Sequence, residues 1–436
     1  MHDLHNELAQ YTGGESCFKY EIGNVISEGA RHFSYVLDNF DSTDKINPLI
    51  ELKCLRTFLP LSFSAPTSDS DYGIHDTVVK NLLKEQKQLL VLSFYGYNIN
   101  RLTCFPNLER LEIISSCDSL TKFKLKSFNK LQYLLIKDCK NLENIEVPED
   151  VNWNLQFIAD IKIHDCPKLN LISETGLPAP NLKKILISNC NHLESMPREM
   201  YRLLTSLQQL SMSCCPKLQS FPDGGLPSNL QSLLIEKCDL LTPQQAWGLN
   251  NMMSLTSLKI VGGCKSMKIF PEEGLLPASL TYLQISEFPE LETLNLNGLQ
   301  LNISLEKMVI NTCASLRSMS AGSLPSTLSS LEITGCSLLT ERCRVGGEDW
   351  PKIRDIQNKE QLFSSKGVNH CKVQFIIRVS IGFLALNFSD KKTGREQPDG
   401  LFPVADPYSE AEIPVIEITF EFWGHQQVWR GNKVET

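Results

Sequence analysis

The chain has 436 residues, and its 42 Lys and Arg against 50 Asp and Glu give a formal net charge of −8. An acidic chain lacks the general basic face that nucleic acid binding requires, and its 42% hydrophobic share is enough for a sizeable core. The most apolar stretch, 373–388, is too short to span a bilayer and contains Arg378, so no membrane span is predicted. The first ten residues lack the pattern of a secretory leader, and we therefore expect a cytoplasmic protein.

One spacing of apolar residues, LxxLxIxxCxxL, recurs along the chain. In one copy Leu131 is followed by Leu134, Ile136, Cys139 and Leu142. Ten copies occur, and their first anchors are Leu108, Leu131, Ile158, Leu182, Leu207, Leu230, Leu255, Leu280, Leu305 and Leu328. Successive anchors are roughly 23 to 27 residues apart, which is the period of leucine-rich repeats.

The frame itself predicts the architecture. Its xxLxI part reads as a short strand with two inward residues, and one such strand can bury its apolar side only against the next repeat. The return segments carry proline, as in 195–197, 220–222 and 176–178, which disfavours helix there. The predicted fold class is therefore α/β: a leucine-rich-repeat solenoid with a parallel β-sheet on its concave face and a mostly non-helical, proline-marked convex side.

Cysteines are numerous, and their spacing argues for a structural role. Nine of the 15 occupy the frame, namely Cys117, Cys139, Cys166, Cys190, Cys215, Cys238, Cys264, Cys313 and Cys336. We expect them to be buried thiols with weak hydrogen bonds. No CxxC pair and no finger-like Cys/His spacing occurs, so neither a metal nor any other cofactor is predicted.

The flanking segments suggest a family. Met1-His2-Asp3, the segments 30–35 and 52–59, and the later segment 347–353 follow one another as in plant disease resistance proteins. The chain, over about residues 1–356, resembles the leucine-rich-repeat portion of the coiled-coil-type nucleotide-binding members of that family. The resemblance implies nucleotide contacts at His2 and Asp3, but no GxxxxGK[ST] loop is present, so no nucleotide binding is expected.

We predict four parts. Residues 1–30 would be a remnant of the winged-helix end of a nucleotide-binding module, and 31–107 divergent entry repeats and a loop. Residues 108–356 would form the array of about ten repeats with an end cap, and 357–436 a tail without repeats.

A role in plant defence follows from the resemblance, with the concave face binding a pathogen effector or a receptor switch module. The predicted partner-binding residues are Tyr133, Lys137, Lys162, His164, Lys184, Gln209, Lys259 and Tyr282. Lys137, Lys162 and Lys184 fall on adjacent repeats, which indicates either a basic stripe for an acidic protein or a merely solvated face.

Other functions stay open at this stage. The eight histidines are dispersed and no nucleophile motif is found, so an enzyme is not predicted. One alternative is an F-box-type substrate-recognition subunit of a ubiquitin ligase, whose repeats resemble these but return through helices. Another is a nonfunctional fragment of a receptor gene.

Overall fold

A computed structural model describes residues 17–20, 29–36, 54–61, 86–95, 105–115, 120–148, 150, 153–358, 380–384 and 413–417. His2 and Asp3, for which the resemblance implies nucleotide contacts, and the frame cysteine Cys117 lie outside these residues.

The strands, in chain order, are β1 Cys17–Tyr20, β2 His32–Val36, β3 Thr57–Leu61, β4 Val91–Tyr95, β5 Arg110–Ile114, β6 Lys122–Lys124, β7 Tyr133–Lys137, β8 Asn144–Glu146, β9 Asp160–His164, β10 Leu171–Ile172, β11 Lys184–Ser188, β12 Gln209–Ser213, β13 Ser232–Glu236, β14 Ser257–Val261, β15 Ile269–Phe270, β16 Tyr282–Ser286, β17 Thr293–Leu294, β18 Lys307–Asn311, β19 Ser318–Met319, β20 Ser330–Thr334, β21 Ser380–Leu384 and β22 Ile413–Glu417. Four short helices are α1 Met200–Leu203, α2 Leu296–Leu299, α3 Ser337–Arg342 and α4 Trp350–Ile353.

A parallel main sheet of 14 strands runs through the repeats, in the order β1-β2-β3-β4-β5-β7-β9-β11-β12-β13-β14-β16-β18-β20. Each of the ten frames contributes one strand, from β5 to β20. Corresponding anchors are paired across the sheet, as where Leu134 lies opposite both Leu111 and Ile161. These anchors are almost fully buried and stack into one continuous core. The predicted fold class is confirmed: the array is a leucine-rich-repeat solenoid.

The main sheet begins before the first frame. Strand β1 lies within the range 1–30, for which we predict a winged-helix remnant, and β2 to β4 lie within the predicted entry segment. Strand β1 pairs in parallel with β2, so Cys17–Tyr20 belong to the same sheet as the repeats. The frame could not reveal this strand, because four residues carry too little of its spacing.

Frame cysteines are buried behind the strands, as predicted. The described ones, from Cys139 to Cys336, have at most 1% of their surface exposed. Cys139 Sγ donates to the carbonyl oxygen of Lys137 at 3.6 Å, and Cys190 Sγ to that of Ser188 at 3.5 Å. Phe288, which replaces cysteine in one frame, is equally buried. The thiol therefore fills the step where the chain leaves the strand, and it binds the last carbonyl of that strand.

Return segments form a second set of parallel pairings. Strands β6, β8 and β10 form one three-stranded sheet, and β15, β17 and β19 form another. Helices α1 and α2 have four residues each, and three-residue 3-10 turns occur at 125–127, 245–247 and 249–251. The mostly non-helical return side is confirmed. Among the described residues between 120 and 336, no return helix is longer than four residues, unlike the helical returns expected of the F-box-type alternative.

The end of the array is capped around Asp349, whose carboxylate is completely buried. It accepts hydrogen bonds from Arg342 Nε at 2.8 Å and Lys352 Nζ at 2.7 Å. The chain then returns to β20, where the N–H of Leu331 donates to Asn358 O at 3.1 Å. This cap covers the edge of the last repeat strand, which would otherwise expose unpaired backbone groups.

Residues 366–436 form a separate compact unit. Its described part is the antiparallel pair β21 and β22, in which Gly382 lies opposite Val415.

Candidate functional site: the open face of the main sheet

Side chains alternate between the two faces of the main sheet in most repeat strands. In β9 the second and fourth residues, Ile161 and Ile163, are buried, whereas Asp160, Lys162 and His164 are partly exposed. The same alternation holds for most repeat strands. We call the surface made by first, third and fifth strand residues the open face. It is the face predicted to bind partners, since strand side chains alternate with a period of two.

Tyr133 is the centre of a group of cations on this face. The Arg110 guanidinium carbon lies 3.9 Å from the ring centroid, and Lys162 Nζ lies 5.3 Å from it. Glu112 pairs with Arg110 at 2.8 Å and offsets its charge. No ion pair is found for Lys162 among the described residues. We name these four residues the Tyr133 centre, and their formal charges sum to about +1. Asp160 lies in register with Tyr133 on β9 but forms no ion pair with Lys162, which is the cation of the centre without a carboxylate partner in the ranges described.

The three lysines predicted as a stripe do not lie in one row. Lys137 is in register with His164, Lys162 with Leu135 and Leu186, and Lys184 with Asp160. The lysines occupy the fifth, third and first strand positions of successive repeats, so they form a diagonal. Diagonal neighbours on a sheet are about 7 to 8 Å apart, rather than the roughly 5 Å of a row. The lysines do lie on adjacent repeats, but the predicted stripe is corrected to a diagonal, because strand register offsets each lysine from the next.

His164 lies at the edge of this diagonal. Its Nδ1 is 2.6 Å from Ser188 Oγ on the next strand, which fixes the imidazole against its neighbour. Lys137 is exposed beside it. Gln209 is also exposed, on β12, and lies in register between Lys184 and Ser232 without reaching either tyrosine group.

A second group surrounds Tyr282, six strands further along the sheet. Lys259 Nζ lies 5.3 Å from the ring centroid, and Lys307 is in register with Tyr282 on the following strand. Glu332 Oε2 is 4.0 Å from Lys307 Nζ. Burial, with Glu332 adding to it, raises the pKa of Tyr282, so the phenol stays protonated near neutral pH. We name Lys259, Tyr282, Lys307 and Glu332 the Tyr282 centre.

Sequence reasoning gave both tyrosines but omitted Arg110 and Lys307 from the predicted site. Both residues occupy the first strand position, next to a tyrosine at the same position of the adjacent repeat. Arranging first-position residues as a row would have revealed them.

Other features of the described residues do not form a competing site. Two shallow cavities of about 340 and 390 Å³ lie on the return side, the first beside a pair joining Lys122 and Glu146 at 3.0 Å. Within the described ranges, no three His, Cys, Asp or Glu side chains cluster as metal ligands do. Likewise, no helix in those ranges is both long and apolar enough to cross a bilayer.

Comparison with known proteins identifies relatives in plants, although no family model matches the chain. A disease resistance protein of Arabidopsis thaliana is 41% identical over 263 residues, 60% of this chain and 18% of that protein. A disease resistance RPP13-like protein of the same plant is 41% identical over 23% of this chain and 10% of its own length. Disease resistance protein RPS4B, also from that plant, is 26% identical over 54% of this chain and 22% of its own length. The chain thus spans less than a quarter of each relative.

Solved structures of distant sequence also match. Toll, in its Drosophila complex with Spatzle, gives a TM-score of 0.40 at 17% identity over 70% of this chain and 39% of that chain. A leucine-rich repeat protein from Bacteroides ovatus gives 0.26 at 15% identity over 77% and 82%. At such TM-scores the superpositions add nothing to a fold that strand register and buried anchors already define. By sequence and fold together, the chain is a leucine-rich-repeat protein whose relatives are plant disease resistance proteins.

Proposed function

We propose that this chain is a protein-recognition module of plant defence and that its Tyr133 centre binds an acidic surface of a protein partner. The observation that carries the proposal is the Tyr133 ring held between the cations of Arg110 and Lys162. The names of the relatives support the role in defence.

The chemistry of the centre favours an anionic partner. Tyrosine and arginine are, with tryptophan, the side chains enriched at interface hot spots, and tyrosine brings a large contact area at low entropic cost. Cation–π contacts of about 0.5 to 1 kcal/mol hold the ring in place at an exposed site. Glu112 already compensates Arg110, which leaves the Lys162 ammonium to pair with a carboxylate of the partner.

Two partner classes fit this chemistry within a cytoplasmic protein: a pathogen effector, or the nucleotide-binding switch module of a receptor. Either would use the open face as a preformed surface, since backbone strands hold its side chains in register. The two cavities described above lie on the return side and not on the open face, which favours a protein partner over a small ligand for the Tyr133 centre.

Charge reversal tests the proposal. The double variant Lys162→Glu, Lys184→Glu should weaken binding to an acidic effector, or to the recombinant switch module of a related receptor, at least about tenfold in biolayer interferometry. The double control Lys168→Glu, Lys217→Glu makes the same change of charge on exposed turns away from the open face and should shift affinity less than about twofold. Equal affinities of the wild type and the double variant for every tested partner would contradict the proposal.

Pull-down from plant extract separates the alternative. An F-box-type subunit would capture a Skp-like adaptor together with a cullin, whereas a defence module would not. If both the wild type and the double variant capture the adaptor and the cullin, the F-box-type function is favoured and the proposed role in defence is contradicted.

A further inference from the structure

We infer that the Tyr133 centre and the Tyr282 centre bind the same partner at once, which must then present two acidic patches about 29 Å apart. This inference rests on the proposed function of the Tyr133 centre and adds a second point of attachment together with the spacing between them.

The two centres are built alike, in mirror order. Tyr133 and Tyr282 both occupy the first position of their strands. Each has one cation in its own row on a neighbouring strand, Arg110 before Tyr133 and Lys307 after Tyr282. Each also has a lysine from the third position of the other neighbouring strand, and both ammonium groups are 5.3 Å from the ring centroid.

Charge compensation follows the same scheme in both centres. Glu112 pairs with the row cation Arg110, and Glu332 lies 4.0 Å from the row cation Lys307. For Lys162 and Lys259 the described part of the chain provides no carboxylate partner. Each centre therefore offers one uncompensated ammonium against a tyrosine ring, which is an arrangement suited to a carboxylate from outside.

The Tyr282 centre is further ordered along its own strand. The Tyr282 hydroxyl donates to Gln284 Oε1 at 3.0 Å, and Gln284 Nε2 donates to Ser286 Oγ at 3.2 Å. Ser286 is almost fully buried, so the chain of hydrogen bonds ends on a fixed group. A ring held in this way loses little conformational entropy on binding, so less of the binding free energy is spent on ordering it.

Strand order gives the distance. Six steps separate β7 from β16 through β9, β11, β12, β13 and β14. At about 4.8 Å a step, the centres are roughly 29 Å apart along the sheet. An interface of standard size buries about 800 Å² per partner, which corresponds to a round patch about 32 Å across. One ordinary interface therefore covers both centres.

The surface between the centres is low enough to admit the body of such a partner. Serine is the commonest residue on the open face there, and the serines are Ser188, Ser211, Ser213, Ser232 and Ser257. Small hydroxyl side chains neither block approach nor require a specific partner group. We therefore place the two anchoring contacts at the ends of this stretch and the broader area of contact between them.

A ruler peptide tests the spacing with the full chain. The peptides carry two Glu-Asp-Glu-Glu ends joined by three, nine or fifteen prolines, and polyproline extends about 3.1 Å per residue. Nine prolines thus span roughly 28 Å. Fluorescence anisotropy at low salt should show the nine-proline peptide binding at least about tenfold more tightly than a single acidic end, with both other spacers weaker.

Substitutions in the Tyr282 centre test whether it binds the second acidic end of the peptide. Tyr282→Ala with Lys259→Ala should reduce the nine-proline peptide to the affinity of a single end. Tyr282→Phe keeps the ring and loses only the hydroxyl bond to Gln284, so it should retain most of the gain. Lys217→Ala is the charge-matched control and should change nothing. The melting temperature of each variant shows that the array is still folded.

The outcomes separate the two proposals. If Tyr133→Ala with Lys162→Ala abolishes binding of a single acidic end but spacer length has no effect, the Tyr133 centre stands and the two-point inference is overturned. If neither pair of substitutions affects any acidic peptide, both are overturned. A clear optimum at nine prolines that disappears in the Tyr282 variant supports the inference.

Discussion

Cys214 and Cys215 are adjacent in the chain but occupy opposite environments. Cys215 is fully buried, and its Sγ donates to the Ser213 carbonyl oxygen at 3.4 Å. Cys214 is half-buried and has a left-handed φ of +52°. Its N–H donates to Glu236 O on the next strand at 2.8 Å, so Cys214 turns the chain while Cys215 enters the core.

Alkylation should distinguish these thiols. Burial raises the pKa of Cys264 to about 12, so in the folded protein this thiol is both inaccessible and protonated. Burial also raises the pKa of Cys214, but its side chain is accessible. We expect iodoacetamide at pH 8 to modify Cys214 well before Cys215 or Cys264, as followed by peptide mass spectrometry. All three should react at similar rates in concentrated urea, and equal rates in the folded state would contradict the buried ladder.

The frame cysteines also show what the sequence could predict. Apolar anchors at fixed spacing have one solution, in which each repeat covers the next, so the strands β5 to β20 and the burial of Cys139 or Cys190 followed from the spacing alone. The four earlier strands did not, since their residues lack the frame. The second sheets on the return side were also missed, because strands of two or three residues leave almost no periodic signal.

The open face was predicted less completely than the core. Which residues face outward follows from alternation, and Tyr133 and Tyr282 were found in this way. Which of them come together depends on register between repeats of unequal length. Lys137 and Lys184 are close in repeat number, yet register places them at opposite ends of their strands. Comparing the position of each lysine within its own strand, and not only the repeat in which it lies, would have given the diagonal.

Asp349 should be essential to the end cap. Asp349→Asn removes the charge that Arg342 and Lys352 share in a fully buried position, and we expect the free energy of unfolding of the C-terminal repeats to fall by about 2 to 4 kcal/mol. Hydrogen exchange at β18 and β20 would measure this loss. The neighbouring Glu348 also pairs with Arg342, but it is 76% exposed, so Glu348→Gln should change stability by less than about 0.5 kcal/mol. Equal effects of the two substitutions would contradict the cap.

The same carboxylate should make the cap sensitive to acid. Burial acts to raise the pKa of Asp349, but hydrogen bonds from Arg342 and Lys352 outweigh it, so the pKa lies below its ordinary value. A lowered pKa in the folded state adds stability above the pKa of the unfolded state, near 4, and this stability is lost as pH falls further. The stability difference between the wild type and Asp349→Asn should therefore be constant from about pH 5 to 7 and shrink below about pH 4. Urea titrations across this range measure it, and a constant difference down to pH 2.5 would contradict the coupling.

Left-handed residues at the ends of the main strands give a further prediction. Asp138, Asp165 and Asn189 have φ between +52° and +56°, and each N–H donates to the last carbonyl of the next main-sheet strand at 3.0 Å. Asp, Asn and Gly tolerate this conformation, which is a signal that the sequence contains but the repeat frame does not use. Thr312 occupies the same position with φ +52°, although a β-branched side chain is unfavourable there.

Replacing Thr312 should therefore stabilise the array. Thr312→Asn keeps the N–H that donates to Thr334 O at 2.8 Å and relieves the backbone, so we expect the free energy of unfolding to rise by about 0.5 to 1 kcal/mol. Thr256 is also exposed, but it has an ordinary φ, and its Oγ1 donates to Gln231 O at 3.2 Å. Thr256→Asn consequently removes a hydrogen bond without relieving strain and should not stabilise the protein. Denaturant unfolding followed by circular dichroism compares the two. A neutral or destabilising effect of Thr312→Asn would show that the left-handed position is not strained. Asp and Asn would then be favoured there by side-chain hydrogen bonds, such as the one from Asn189 Nδ2 to Asp165 Oδ1 at 2.7 Å.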